Sequence, residues 1–279
     1  QGSTSTPDEA PVITQRESSV ETGNTIAIST SDNAAANVTI KDINIKSSKD
    51  AIDVKGSSSA NITLEGDNKI FSETGSALHV SDGNVTINGS GSLKAEIQDD
   101  LGSDYNHNAK IGSHEKEAMS GSIHITGDAT VKTDDNIAPN CGGDGAGIGS
   151  GEDGEMSGNI VIDGNAQVEV FSNDRGAGIG SGDDGNLSGN IMIGGNAQVS
   201  ATGAEDSAGI GTGDDGNFTG SITMDGNAKV TAKAGGDHNG SDGSGIGTGD
   251  EGKFTGTVTI GGNAAVIAAG SDEGCGIGA

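Results

Sequence analysis

The tripeptide glycine-isoleucine-glycine returns five times in the second half of this chain, with its isoleucine at Ile148, Ile179, Ile210, Ile246 and Ile277. The intervals are 31, 31, 36 and 31 residues, and a fixed period of that size confines a chain to solenoids, propellers and similar arrays. A second signature extends the repeat toward the N-terminus: Asn, Ser or Thr, then Ile or Val, any residue, and Ile, Leu or Met. It begins at Asn37, Asn61, Asn84, Ser122, Asn159, Asn190, Ser221 and Thr257. The first intervals, 24 and 23 residues, have the length of one plain β-helix coil, and the later ones (38, 37, 31, 31 and 36) are that coil with insertions.

Within a coil the pattern reads as three short strands. Ile160 and Ile162 alternate with outward residues, a Gly164-Asn165 corner follows, and Val168 and Val170 alternate again. The third strand carries the glycine motif, Ala146 to Ser150, or in the plain coils Ala51 to Val54 and Ala77 to Val80. Such strands bury their apolar side only by stacking, at about 4.8 Å per coil, into columns of like residues. Ile160, Ile191, Ile222 and Val258 make one column, and Val168, Val199, Val230 and Val266 another. No segment carries a helical stripe, and 51 glycines would each cost a helix interior about 1 kcal/mol relative to alanine. The fold expected is all-β: a single parallel β-helix of about eight coils over 25–279, preceded by a tail over 1–24 that begins with the tag-like Gln1-Gly2-Ser3.

The stacked short coils and the corner ladder of Asp128, Asn165, Asn196, Asn227 and Asn263 resemble the right-handed parallel β-helices of the pectate-lyase-like superfamily. The resemblance covers 25–279, concerns architecture, and implies the right-handed crossover that parallel strands favour generally. The composition is similar to repeat regions of secreted or surface-anchored proteins of Gram-positive bacteria, which implies an adhesive or glycan-binding role.

Lyases and hydrolases of that superfamily use calcium-binding carboxylates with a basic residue, or clustered aspartates with Gly-His-Gly. Here the only arginines are Arg16 and Arg175, Gly-His-Gly does not occur, and the histidines are scattered. A nucleophile elbow, a phosphate loop and His-Glu-x-x-His are also missing. The expectation is therefore a protein that is not an enzyme.

Three outward features carry the candidate sites. The first is an acidic pair between glycines after the third strand: Glu152-Asp153, Asp183-Asp184, Asp214-Asp215 and Asp250-Glu251. Stacked in register these carboxylates form a column of oxygen donors, the kind of ligand calcium uses; the competing reading is solvated charge that keeps the protein soluble. The second is a glycine floor. With the isoleucines inward, Gly147, Gly149, Gly178, Gly180, Gly209 and Gly211 are expected to face outward and admit a ligand, a loop or a second surface close to the backbone. The competing reading is that they take backbone angles closed to other residues.

The third feature is a shared edge where the coils are enlarged, at 96–108, 133–145 and 235–243, and insertions confined to one side of a solenoid mark a binding face. Asp104, Tyr105, His107, Asp237 and His238 are its candidate ligand-binding residues, although a solvated reading is the stronger for the two histidines. Cys275 falls in the small-residue column of Ala146, Ala177 and Ala208. Cys141 lies four coils away, roughly 19 Å along the stack, too far for a disulfide.

With 41 acidic against 14 basic residues, the chain gains nothing from phosphate neutralisation, which argues against nucleic acid and direct membrane contact. The expectation is a secreted or cell-surface binding module for an extracellular glycan, assisted by calcium. The alternatives are a binder of a host protein such as immunoglobulin or mucin, a structural stalk, and a polysaccharide lyase or hydrolase.

Overall fold

The computed structural model describes residues 10–30, 34–98, 105–133, 143–172, 174–236 and 242–279. Its strands make three parallel sheets of nine, eight and nine members, and no helix occurs among the described residues. Each coil gives one strand to each sheet in turn, as Asn159–Ile162, Gln167–Phe171 and Ile179–Gly180 do. The chain is a right-handed parallel β-helix with eight full coils. The expected columns form: Ile160 pairs with Ile191, Ile191 with Ile222 and Ile222 with Val258 in the first sheet. Val168, Val199, Val230 and Val266 align likewise in the second.

The stack starts earlier than the signature does. Residues 12–14, expected to lie in the tail, pair with Thr39–Lys41 as a first-sheet strand. Thr22 bridges to Ile45, and Ile26–Ile28 opens the third sheet. This partial coil lacks the Asn-Ile pattern because the register sets Ala10 and Pro11 opposite Asn37 and Val38. One register also differs from the sequence alignment of the repeats, since Asn84 stands opposite Ser59 rather than Asn61. A slip of two residues leaves every side chain on its own face, so the core is unaffected.

The interior is lined by Ile, Val, Leu and Ala almost without solvent contact, and full burial of each large side chain contributes about 1.5–3 kcal/mol. A fourth column, not expected from the repeat signatures, runs through Met119, Met156, Leu187, Phe218 and Phe254, joined by isolated bridges between the turns. Phe218 is fully buried and meets Phe254 edge-on at 5.0 Å between ring centroids. At the corner after the first sheet, Asn165 donates to Asp128, Asn196 to Asn165, Asn227 to Asn196 and Asn263 to Asn227, at 2.9–3.1 Å. Cys275 holds its expected column position, its carbonyl accepting the Gly245 N–H at 3.0 Å, but it is exposed rather than buried, because no further coil stacks on it in the structure.

Candidate functional site

The acidic turns are built from inside. After four of the five Gly-Ile-Gly motifs comes a buried hydroxyl, Ser150, Ser181, Thr212 or Thr248, which donates to the carbonyl four residues on (Gly154, Gly185, Gly216, Gly252) at 2.6–3.4 Å. That bond closes a tight loop and forces the second acid of each pair into left-handed backbone: φ is 55° at Asp153, 54° at Asp184, 54° at Asp215 and 50° at Glu251. Aspartate tolerates this region better than most residues. The turns then lock onto their neighbours, with the Asp153 N–H on the Asp183 carbonyl at 2.8 Å and the Asp184 N–H on that of Asp214 at 3.0 Å.

The two acids of a pair part company. Asp153, Asp184, Asp215 and Glu251 are exposed, whereas Glu152, Asp183, Asp214 and Asp250 turn inward and are partly or fully buried. In three of the turns the inner carboxylate also caps the loop, accepting the N–H of its exposed neighbour: Asp184 to Asp183, Asp215 to Asp214 and Glu251 to Asp250, at 2.8–3.1 Å. Of the eight acids, only Glu152 falls in a cluster of three potential metal ligands among the described residues, with His107 and Asp144.

The inner acids face a second column from the loop that precedes the third strand. Glu152 donates its N–H to the His107 carbonyl at 3.0 Å, Asp183 to that of Asp144 at 2.8 Å, and Asp214 to that of Arg175 at 3.1 Å. The result is an edge dense in half-buried acid with little compensation. Burial, then the neighbouring Asp144 and Asp214, pushes the Asp183 carboxyl up to about 8. Burial and Asp215 push Asp214 up to about 6 despite Arg175, whose guanidinium lies 3.4 Å from it. Asp144, Glu152 and Asp174 are raised as well, burial being the main cause in each. His107 is not simply solvated: its Nδ1 sits 2.9 Å from Asp144 Oδ2 and 2.7 Å from Glu152 Oε2. Tyr105 is 39% exposed and stands edge-on to the His107 ring at 6.3 Å. Asp104, Asp237 and His238, expected on the same edge, lie outside the described residues.

The glycine floor does not exist as an open surface. Gly147, Gly149, Gly178, Gly180, Gly209 and Gly211 are all buried. A Cβ on Gly178 would meet the Thr202 backbone at 2.9 Å, because the end of the second strand of the following coil lies across it. Gly149, Gly180 and Gly211 have φ between 142° and 146°, and a Cβ there would stand 1.7–1.8 Å from the carbonyl oxygen of the next coil. Both readings of the glycines thus apply, close approach at the first and backbone angle at the second, and the approaching surface is the chain itself.

The histidines that look scattered in sequence include a pair. The rings of His79 and His114 stack at 3.9 Å and 7° between planes. His79 hydrogen-bonds Asp53 at 3.1 Å and Glu117 at 2.8 Å, and His114 reaches Asp50 at 2.7 Å. Burial opposes charge on His114, but Asp50 outweighs it and raises its titration above the ordinary histidine range. Burial is likewise outweighed at Asp53, by Lys55 and His79, and that carboxyl is lowered. The register carries the signal for this cluster: Asp53 pairs with His79, and His79 with Gly112, two residues before His114.

Fold and surface together define the class: an acidic, all-parallel β-helix repeat protein with a charged edge. No protein-family model matches the chain, and neither do curated proteins or solved structures.

Proposed function

We propose that the chain is a non-catalytic, secreted or cell-surface binding module that recognises an extracellular carbohydrate, with calcium bridging to the acidic edge. The likeness to pectate-lyase-type solenoids and to Gram-positive surface repeats belongs to the same proposal. The observation that carries the reading is a shallow groove of about 300 Å³ along the outer face of the second sheet. Gln167, Gln198 and Lys229 stand opposite one another in successive strands there, with Lys132, Glu169 and Ser200 beside them. One donor or acceptor set per coil, repeated at the strand spacing, suits a polymer of hydroxyl-bearing units better than a compact ligand. Aromatic stacking contributes little, since the chain has one tyrosine and no tryptophan.

The test is an array of glycans and host glycoproteins probed with the purified chain, in calcium and in chelator, alongside the variants Gln198→Ala and Tyr105→Ala. Glycan binding that weakens in Gln198→Ala supports the groove, and loss on chelation that added calcium restores and added zinc does not supports the calcium bridge. Weakening only in Tyr105→Ala moves the carbohydrate site to the charged edge. Binding to glycoproteins that survives deglycosylation replaces this reading with a protein-binding one, and silence on the whole array favours a stalk.

A further inference from the structure

We infer that His107, Asp144 and Glu152 form a binding site for one divalent transition-series cation of the zinc class. The site does not depend on the glycan reading, and it differs from the calcium expected along the acidic pairs because one of its donors is an imidazole nitrogen. Calcium takes six to eight oxygens, whereas imidazole combined with carboxylates suits zinc and its neighbours.

The geometry is unusual for a hydrogen-bonded histidine. His107 Nδ1 is shut off from solvent, with Asp144 Oδ2 at 2.9 Å and Glu152 Oε2 at 2.7 Å, yet neither oxygen lies in line with the ring N–H, so neither contact has hydrogen-bond geometry. A single nitrogen could in any case give its proton to only one of two carboxylates. Around a metal with bonds of about 2.1 Å, neighbouring donors lie about 3.0 Å apart in an octahedral shell and about 3.4 Å apart in the tetrahedral shell zinc prefers, about 35–45° off one another's bond axes. Short, off-axis spacing between one nitrogen and two oxygens is what that arrangement produces. All three donor atoms fall within 4.8 Å of one another.

The framework holds these donors before any ion arrives. His107 and Asp144 occupy equivalent positions four residues before Ile111 and Ile148 in successive coils, whose strands pair directly. The Glu152 N–H on the His107 carbonyl and the Asp183 N–H on the Asp144 carbonyl fix the backbone on both sides. The side chains are 24%, 15% and 22% exposed, so the cluster opens to solvent on one side and leaves positions for water or an incoming ligand. The cluster around His79 and His114 contrasts with this one, because Asp53, Glu117 and Asp50 already engage three of its four ring nitrogens in direct hydrogen bonds.

The experiment is calorimetric titration of zinc alone into the full chain, for wild type, His107→Ala, Glu152→Gln and His79→Ala, repeated with calcium in hundredfold excess. Cobalt substitution adds a spectroscopic reading of nitrogen ligation. The expected result is one zinc per chain at this site, weakened at least tenfold in His107→Ala and in the near-isosteric Glu152→Gln, unchanged in His79→Ala, and not displaced by calcium. The cobalt spectrum should lose its ligand-field band with His107. The inference is overturned if wild type takes up no zinc, if His107→Ala binds as wild type does, if His79→Ala abolishes binding, or if calcium displaces the ion. No glycan enters the titration, so its outcome and that of the array are independent.

Discussion

Replacing Gly180 by alanine tests whether the repeated glycines are structural parts of the stack. Gly180 has φ of 142°, and a Cβ built on it would lie 1.8 Å from the Gly211 carbonyl oxygen. That oxygen cannot step aside freely, since it accepts the Ser181 N–H at 3.1 Å in the ladder between coils. Backbone strain of this kind costs about 1–3 kcal/mol and overpacking against a fixed neighbour about 1–3 kcal/mol more, so Gly180→Ala should destabilise by about 2–6 kcal/mol. Gly56→Ala is the control. Its φ of 55° is also left-handed, but a Cβ there meets nothing within 4 Å, and the expected cost is only about 1–2 kcal/mol. Urea unfolding followed by far-UV circular dichroism, analysed at a common slope, separates the two. A Gly180→Ala protein no less stable than Gly56→Ala would refute the packing argument and reopen the glycine strip as a surface.

Two further outcomes follow from the interior and the acidic edge. Phe218→Ala removes a fully buried ring from the fourth column and should cost about 3–5 kcal/mol in the same urea assay; a loss under about 1 kcal/mol would show that the turns do not pack as a column. For Asp183 the folded carboxyl, raised to about 8 from 3.8, keeps its proton over a range where the unfolded one has lost it. Its contribution to stability is therefore fully present below about pH 4 and is lost as pH rises toward 8. Asp183→Asn can still accept the Asp184 N–H that Asp183 Oδ1 accepts at 3.1 Å, and it carries no charge. Thermal melts should find the two proteins alike near pH 4 and the variant ahead by pH 8, and parallel pH profiles would contradict this.

The repeat of isoleucine between glycines, and the Asn-Ile signature before it, were enough to determine the architecture. Alternation of apolar residues specifies a strand face, and a short coil repeated with like residues at like positions has few ways to bury that face other than stacking. The corner ladder from Asp128 to Asn263 was legible for the same reason, because the structure repeats whatever the sequence repeats. The first partial coil and the two-residue slip at Asn84 were not, since Ala10 and Pro11 replace the signature residues in one and a slip of two conserves the pattern in the other.

What lies between coils or across a turn depended on tertiary structure. The glycines looked like an open floor because strand alternation points them outward, but only the folded path shows the end of the second strand lying over Gly178. The acidic pairs read as matched ligands, and the buried hydroxyls of Ser150, Ser181 and Thr212 are what twist each turn so that one acid faces in and the other out. His107, Asp144 and Glu152 are spread over 46 residues of chain, and no linear motif joins them. They meet because the loop before one third-strand copy stacks on the next, and because a turn from the later coil donates its N–H to the earlier one. Sequence periodicity determines which residues are equivalent; the stacking of unlike connections determines which chemistries touch.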